Sequence, residues 1–188
     1  MDFKEEFDIA GCCGIFCGLC PKYQSKAPSR CEGCRLTEAH SWCSIYKCCV
    51  VKKGFITCIE CEEYPCDRYL RRGWGEDPLS KDAQINLTSI KDTGMVHWLE
   101  EQRKRRLVVE ELISNYNDGR SMSFYCLACT LMPVNLVNQT ISEIREKLCD
   151  NQIDDSDMKA KARSLRTIIQ DKALQSGIEL KSGVKKGK

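Results

Sequence analysis

The sequence lacks any long apolar run. Its longest uninterrupted aliphatic stretch is Leu107-Val108-Val109, far short of the ~20 residues a membrane-spanning helix needs, so no membrane segment is expected. The start, Met1-Asp-Phe-Lys-Glu-Glu-Phe-Asp8, is acidic and has no core resembling a signal peptide, which places the expectation in the cytosol. Strong charge is also missing. The formal balance is +2, too small to steer the whole chain toward nucleic acid. No nucleotide-binding loop, catalytic triad or paired-carboxylate motif stands out, and the leaning is therefore toward a non-enzymatic protein. Residues 1–75 are poor in Leu, Ile and Val and show almost no periodic aliphatic pattern. A module so small with so little core needs disulfides or a metal to fold.

Cysteine is what the chain has in abundance. Twelve of fifteen lie between residues 12 and 66. They run as Cys13-x3-Cys17-x2-Cys20, Cys31-x2-Cys34, Cys43-x4-Cys48, then Cys58-x2-Cys61-x4-Cys66. In a C-x2-C knuckle two sulfurs can be aimed at one ion while the intervening amides hydrogen-bond the thiolates. In a reducing compartment such a framework signals metal more often than disulfide, and an odd total suits disulfides poorly. The expected ligands are the ten spaced cysteines, Cys13, Cys17, Cys20, Cys31, Cys34, Cys43, Cys48, Cys58, Cys61 and Cys66.

Ten ligands make two tetrahedral zinc sites with two sulfurs left over. Sequential grouping would join Cys17, Cys20, Cys31 and Cys34, and draw the second site from Cys43, Cys48, Cys58, Cys61 and Cys66. A cross-braced grouping of the first knuckle with the third is equally permitted. His40, three residues before Cys43, is an alternative ligand read more readily as a surface histidine. The rival metal is iron: Cys13-x3-Cys17-x2-Cys20 has the spacing by which radical-SAM enzymes hold a [4Fe–4S] cluster, and Cys12-Cys13-Gly14 is similar to the CCG motif of non-cubane cluster proteins. Against iron, the chain has no βα alternation for a barrel and no ferredoxin-type run. Zinc ranks first, two ions per chain, with [4Fe–4S] as the alternative.

Other features take plainer readings. Cys126 and Cys129, flanked by apolar residues on an expected helix, read as core. Cys12, Cys49 and Cys149 have no histidine or acid partner in sequence and read as inert thiols. Arg103-Lys-Arg-Arg106 reads as a solvated helix face, and His97 as structural. Residues 1–70 carry nine basic and ten acidic side chains, and thiolate sites would make this half more negative, which argues against nucleic acid.

The expected fold is mainly α: a small irregular metal-stabilised module packed on a helical region. The division is residues 1–76 for the module, 77–176 for the helices and 177–188 for a disordered basic tail. In the module, Phe3 to Gly11 suggests a strand, Gly14 and Gly18 allow the backbone to wrap a sulfur, and Pro21 opens a helical turn. Residues 24–30 form a loop. Trp42 to Lys53 makes about three helical turns stopped by Gly54. A helix starts over Glu62 to Cys66 with Pro65 near its first position, ending by Gly73 or Gly75. Beyond Asp77-Pro78, Ser80 caps a helix over 81–92 with Ile85, Leu87 and Ile90 inward. A long amphipathic helix follows Gly94, its apolar positions including Trp98, Leu99, Leu107, Val108 and Leu112. Ser121 to Met132 is a short apolar helix. Leu136, Val137, Ile141, Ile144 and Leu148 mark another, and a last one carries Leu165, Ile168, Ile169 and Leu174 before Gly177.

These motifs together resemble the DUF3795 family of cysteine-rich bacterial and archaeal proteins. The resemblance rests on Cys13-Gly-Ile-Phe-Cys17-Gly-Leu-Cys20-Pro-Lys-Tyr23, Cys31-Glu-Gly-Cys34-Arg35, Cys43-x4-Cys48 and Cys58-Ile-Glu-Cys61-Glu-Glu-Tyr-Pro-Cys66. Ile90-Lys-Asp-Thr-Gly94 and Trp98-Leu-Glu-Glu-Gln102 extend it to about residue 106. The family is regarded as zinc-binding, without an established biochemical role, so the resemblance supports the ligand list and leaves function open. Members often continue into a second cysteine ribbon, whereas here Arg106-Leu-Val-Val-Glu-Glu stays helical, and no later metal site is carried over. The expectation is a cytosolic metal protein serving as a protein-interaction or accessory module, with an Fe–S redox protein as the alternative.

Overall fold

The computed structural model of the chain describes residues 3–36, 42–72, 78–150 and 152–180. It is mainly α-helical, with an irregular cysteine-rich region ahead of longer helices. The described residues contain no β-strand, only an isolated bridge between Ala10 and Phe16. The chain divides into two compact units, one extending to Arg103 and the other covering Lys104–Ser182. None of the described helices is long and apolar enough to cross a membrane.

The helices of the cysteine-rich region are short: α1 (Lys4–Asp8), α2 (Pro21–Gln24), α3 (Ser44–Tyr46) and α4 (Asp67–Leu70). A wide π-helical stretch, Lys47–Lys52, continues α3, and 3-10 turns form at Cys17–Leu19 and Cys58–Glu60. Helices this short have no stability of their own. Hydrogen bonds between distant segments hold them instead. Arg35 donates from Nε to the Ala10 carbonyl at 2.8 Å and from Nη2 to the Ile56 carbonyl at 2.7 Å, with its guanidinium 4.5 Å from the centre of the Phe7 ring. Buried Tyr69 donates its hydroxyl to the Cys13 carbonyl at 2.9 Å.

Two local expectations are corrected. Phe3 to Gly11 is not a strand: Lys4–Asp8 is helical, with Glu5 and Glu6 in its first turn, where acids suit the helix dipole. The helix after the third knuckle starts at Asp67 rather than near Pro65. Tyr64 N–H is already bonded to the Cys61 carbonyl at 2.9 Å in the turn that closes the knuckle, and Cys66 leaves that turn extended, at φ −82° and ψ 163°.

Helix α5 (Pro78–Thr93) begins earlier than a Ser80 cap would allow, because proline's missing N–H costs nothing in a first turn. Its buried stripe is Ala83, Asn86, Leu87 and Ile90, spaced i, i+3, i+4, i+7. Ile85 falls off that stripe and is exposed, contrary to expectation. The cysteine region meets α5 at Gly14, which has φ +93°. A Cβ at Gly14 would run into the Ala83 carbonyl and lie 2.9 Å from Leu87 Cγ, so this glycine serves the close approach to α5 rather than wrapping a sulfur. Asn86 Nδ2 donates to the Gly14 carbonyl at 2.9 Å and Trp98 Nε1 to Asn86 Oδ1 at 3.1 Å. The Trp98 ring in turn meets Phe16 edge-on, centroids 5.9 Å apart.

Helix α6 (Met95–Tyr116) contributes to the first unit up to Arg103 and to the second from Lys104. Trp98, Leu99, Val108 and Leu112 are buried as expected, while Leu107 is exposed because Val108, Val109, Leu112 and Tyr116 hold the apolar face. In the second unit α7 (Met122–Leu131), α8 (Val134–Cys149) and α9 (Met158–Gln175) enclose Tyr125, Met132, Ile144, Leu165 and Ile169, all almost fully buried. Cys126 and Cys129 are part of that core. Leu174 is exposed, and Ala173 takes the inward position instead.

The basic run at 103–106 is not a solvated face. Arg105 Nη1 donates to the carbonyls of Cys129, Thr130 and Met132 at 2.7, 3.3 and 3.1 Å, satisfying acceptors that the end of α7 leaves open. Arg106 is buried. His97 is exposed on α6. The expectations for His40, for Gly73 or Gly75 and for residues 181–188 of the tail lie outside the described residues.

The Gly14 contact yields a test. Gly14→Ala forces a side chain into a left-handed backbone and against α5 at once, and should destabilise the first unit by about 2–4 kcal/mol. Denaturant unfolding followed through Trp98 fluorescence measures this; unchanged stability would mean that Gly14 does not seat the cysteine region on α5.

Candidate metal centre

Three sulfurs from three separate segments converge. The Sγ atoms of Cys12, Cys49 and Cys58 all lie within 4.8 Å of one another, largely shielded from solvent. Cys12 lies inside a tight turn in which Gly14 N–H donates to the Gly11 carbonyl at 2.9 Å. Cys49 sits on the π-helical stretch; Gly54 then turns the chain so that Phe55 N–H returns to the Cys49 carbonyl at 2.9 Å. Cys58 opens a turn fixed by the reciprocal cap of Thr57 and Glu60, with Thr57 N–H donating to Glu60 Oε1 at 2.7 Å. Cys58 N–H donates to the Cys12 carbonyl at 2.8 Å and brings the first and last segments together.

The electrostatics of the trio suit a cation. Hydrogen bonds from the Cys12 and Cys58 thiols pull Cys49 down to about 4, and the charges of Arg35 and Lys53 help against burial. The Cys12 thiol is raised by its bonds to Cys49 and Cys58 and by burial. Cys58 is lowered by its bond with Cys12 but raised overall by Cys49 and by burial. A metal ion bound by the three sulfurs would displace those protons.

Size agrees with charge. A zinc ion with Zn–S of about 2.3 Å places tetrahedral sulfurs about 3.8 Å apart, within a small adjustment of the observed spread. A cavity of about 30 Å³ adjoins the trio, and Cys48, Cys49, Cys58, Cys61 and Cys66 all line it. Cys48, Cys61 and Cys66 thus line the same cavity without joining the trio. Lys53 Nζ lies 3.0 Å from Cys61 Sγ, and this contact pushes the lysine up to about 12.

The structure distributes the sequence-predicted ligands unevenly. Of the ten, Cys58 belongs to the converging trio, and Cys48, Cys61 and Cys66 line the adjoining cavity. Cys17 hydrogen-bonds through its thiol with Cys34, which together with burial raises it; Gly33, at φ +99°, makes the reversal between Cys31 and Cys34. Cys13 is buried, which pushes its thiol up to about 11 although the Ile15 backbone and Arg72 oppose this. Arg72 Nη1 reaches Cys43 Sγ at 3.4 Å, and its charge also acts on Cys13 and Cys34. Cys20 and Cys31 are half-buried. None of the fifteen cysteines forms a disulfide.

Sequence reasoning passed over Cys12 and Cys49, taking Cys13 and Cys48 from each adjacent pair because they fit the spaced series. The doublets themselves were the available signal, since either member can face the ion and the local turn decides which does. Cys149, passed over on the same grounds, is indeed exposed and apart.

Fold and site together define a cysteine-rich helical protein with a thiol cluster suited to a metal ion. Residues 9–71 match the family described as "Protein of unknown function (DUF3795)", the family that the cysteine motifs resemble. The match ends before Ile90–Gly94 and Trp98–Gln102, so the likeness there has no counterpart in it. No curated protein and no solved structure matches the chain.

The trio makes a direct prediction. Cys49→Ser or Cys58→Ser should each lower bound metal by about one ion per chain, whereas Cys149→Ser should leave it unchanged. Elemental analysis of the purified variants decides; full metal content in Cys49→Ser would remove the trio as a binding site.

Proposed function

We propose that this chain is a structural zinc protein whose metal-knitted N-terminal module serves as an accessory or interaction module for another protein. The observation carrying this reading is the convergence of Cys12, Cys49 and Cys58 beside a cavity lined by further cysteines. Soft sulfur donors close together suit one tetrahedral ion. A four-iron cluster sits between its cysteine ligands and spaces their sulfurs more widely, so the Fe–S redox reading ranks second. Cys61 supplies the fourth ligand of the trio's ion, with Lys53 balancing its charge. The remaining spaced cysteines, Cys17 and Cys34 foremost, hold a second ion.

A structural role also follows from need. The cysteine region has few aliphatic residues, and a structural zinc contributes on the order of 10 kcal/mol to the folding of such a module. Its large exposed apolar side chains, Trp42 at 91%, Val51 at 71% and Leu70 at 53%, support a protein partner. The acidic balance of residues 1–70 speaks against nucleic acid for this module. The reading places the protein in the cytosol, where the thiols stay reduced.

Protein purified without oxygen should contain about two zinc ions per chain and show no visible band. Iron with acid-labile sulfide and absorbance at about 400 nm would replace this reading with the redox one. Removal of zinc by a strong chelator should abolish the near-ultraviolet dichroism of the first unit, with Tyr69 and Trp98 losing their fixed surroundings. A chelated, metal-free protein that keeps this signal would contradict a structural role.

A further inference from the structure

The second unit holds a cleft that neither the metal centre nor the family match touches. It has a volume of about 480 Å³, and Arg120, Lys159, Arg163 and Arg166 line it together with Thr167 and Gln170. Five of these come from α9 at positions i, i+4, i+7, i+8 and i+11, a single helix face. The opposite face carries Ala162, Leu165, Ile168 and Ile169 into the core. Arg120 enters from the turn before α7.

This arrangement works against the helix that carries it. Like charges at i, i+3 and i, i+4 repel, and cations in the N-terminal half oppose the helix dipole. The nearby acids relieve it only in part. Asp118 also lines the cleft, but its Oδ1 accepts from the N–H groups of Arg120 and Ser121 and from the Ser121 hydroxyl, at 3.0, 3.0 and 2.8 Å. Asp157 Oδ1 caps α9 by accepting from Lys159 N–H and Ala160 N–H, and Asp155 pairs with Lys161 at 2.7 Å. Among the described residues no ion pair engages Arg120, Lys159, Arg163 or Arg166. Arg166 is instead held over the Phe124 ring, its guanidinium 4.9 Å from the ring centre, which fixes the fork before any ligand arrives. A local rule broken on one face, and only partly compensated there, marks a functional surface.

We propose that this cleft binds a diphosphate group carried by a small molecule or free in solution. Guanidinium forks suit phosphate oxygens in paired hydrogen bonds, and the Gln170 amide adds a neutral donor. The volume lies in the range of small-ligand sites. The cations are confined to this face and one turn, in a chain of net charge +2, which gives no extended track for a nucleic-acid backbone.

The test is calorimetric titration of the full metal-loaded chain with inorganic diphosphate and, separately, with a nucleoside diphosphate. Saturable binding of either, weakened by added salt, is expected. Tighter binding of the nucleoside diphosphate identifies a carried diphosphate, and equal binding the free anion. The double variant Arg163→Gln/Arg166→Gln should lose affinity by about tenfold or more while its melting temperature is unchanged or higher, since a repulsion has been removed. No binding by either probe, equal binding by the double variant, or binding only to RNA would overturn the proposal. A drop in the variant's melting temperature would also count against it, because the arginines would then serve the fold.

Discussion

The central feature of the first unit is the meeting of Cys12, Cys49 and Cys58. Three stretches of chain are brought to one point: the Cys58 N–H to Cys12 carbonyl bond links the last to the first, and the Phe55 N–H to Cys49 carbonyl bond closes the turn after the second. An ordinary domain would spend hydrophobic area here. This one has instead a small shielded cluster of thiols whose protons compete for one anionic sulfur, a state that a metal ion relieves.

Around that centre, cations act as cross-links. Arg35 ties the second knuckle to the segments before the first and third, while its charge favours the Cys49 thiolate. Lys53 and Arg72 stand against Cys61 and Cys43. The second unit uses the same device on backbone: Arg105 gathers the carbonyls at the end of α7. In both, a side chain with fixed donors takes the place of secondary structure that the chain does not form. The arginines of α9 differ, since among the described residues no backbone carbonyl or ion pair engages their guanidinium groups.

The helical part was legible because periodicity survives folding: Leu87, Leu112, Ile144 and Leu165 are all buried on the stripes the sequence marks. The misses fall at stripe edges, where Ile85, Leu107 and Leu174 are one position off the face that wins. A thiol cluster able to hold a metal ion was expected from the knuckle spacing, and Cys58 of the spaced series belongs to the one found. The membership of the site was not, because which sulfur of Cys12-Cys13 or Cys48-Cys49 faces inward is set by the Gly11–Gly14 turn and the π-helical stretch, neither of which spacing encodes. Gly14 was misread for a related reason: its constraint comes from Ala83, 69 residues further along the chain.

The most direct test of the account is X-ray absorption at the metal edge of the protein as isolated. The account predicts a single shell of four sulfurs at about 2.3 Å with no metal neighbour, and the same shell at about half the metal content when Cys49 is replaced by serine. A metal–metal shell, or ligation dominated by nitrogen or oxygen, would contradict it.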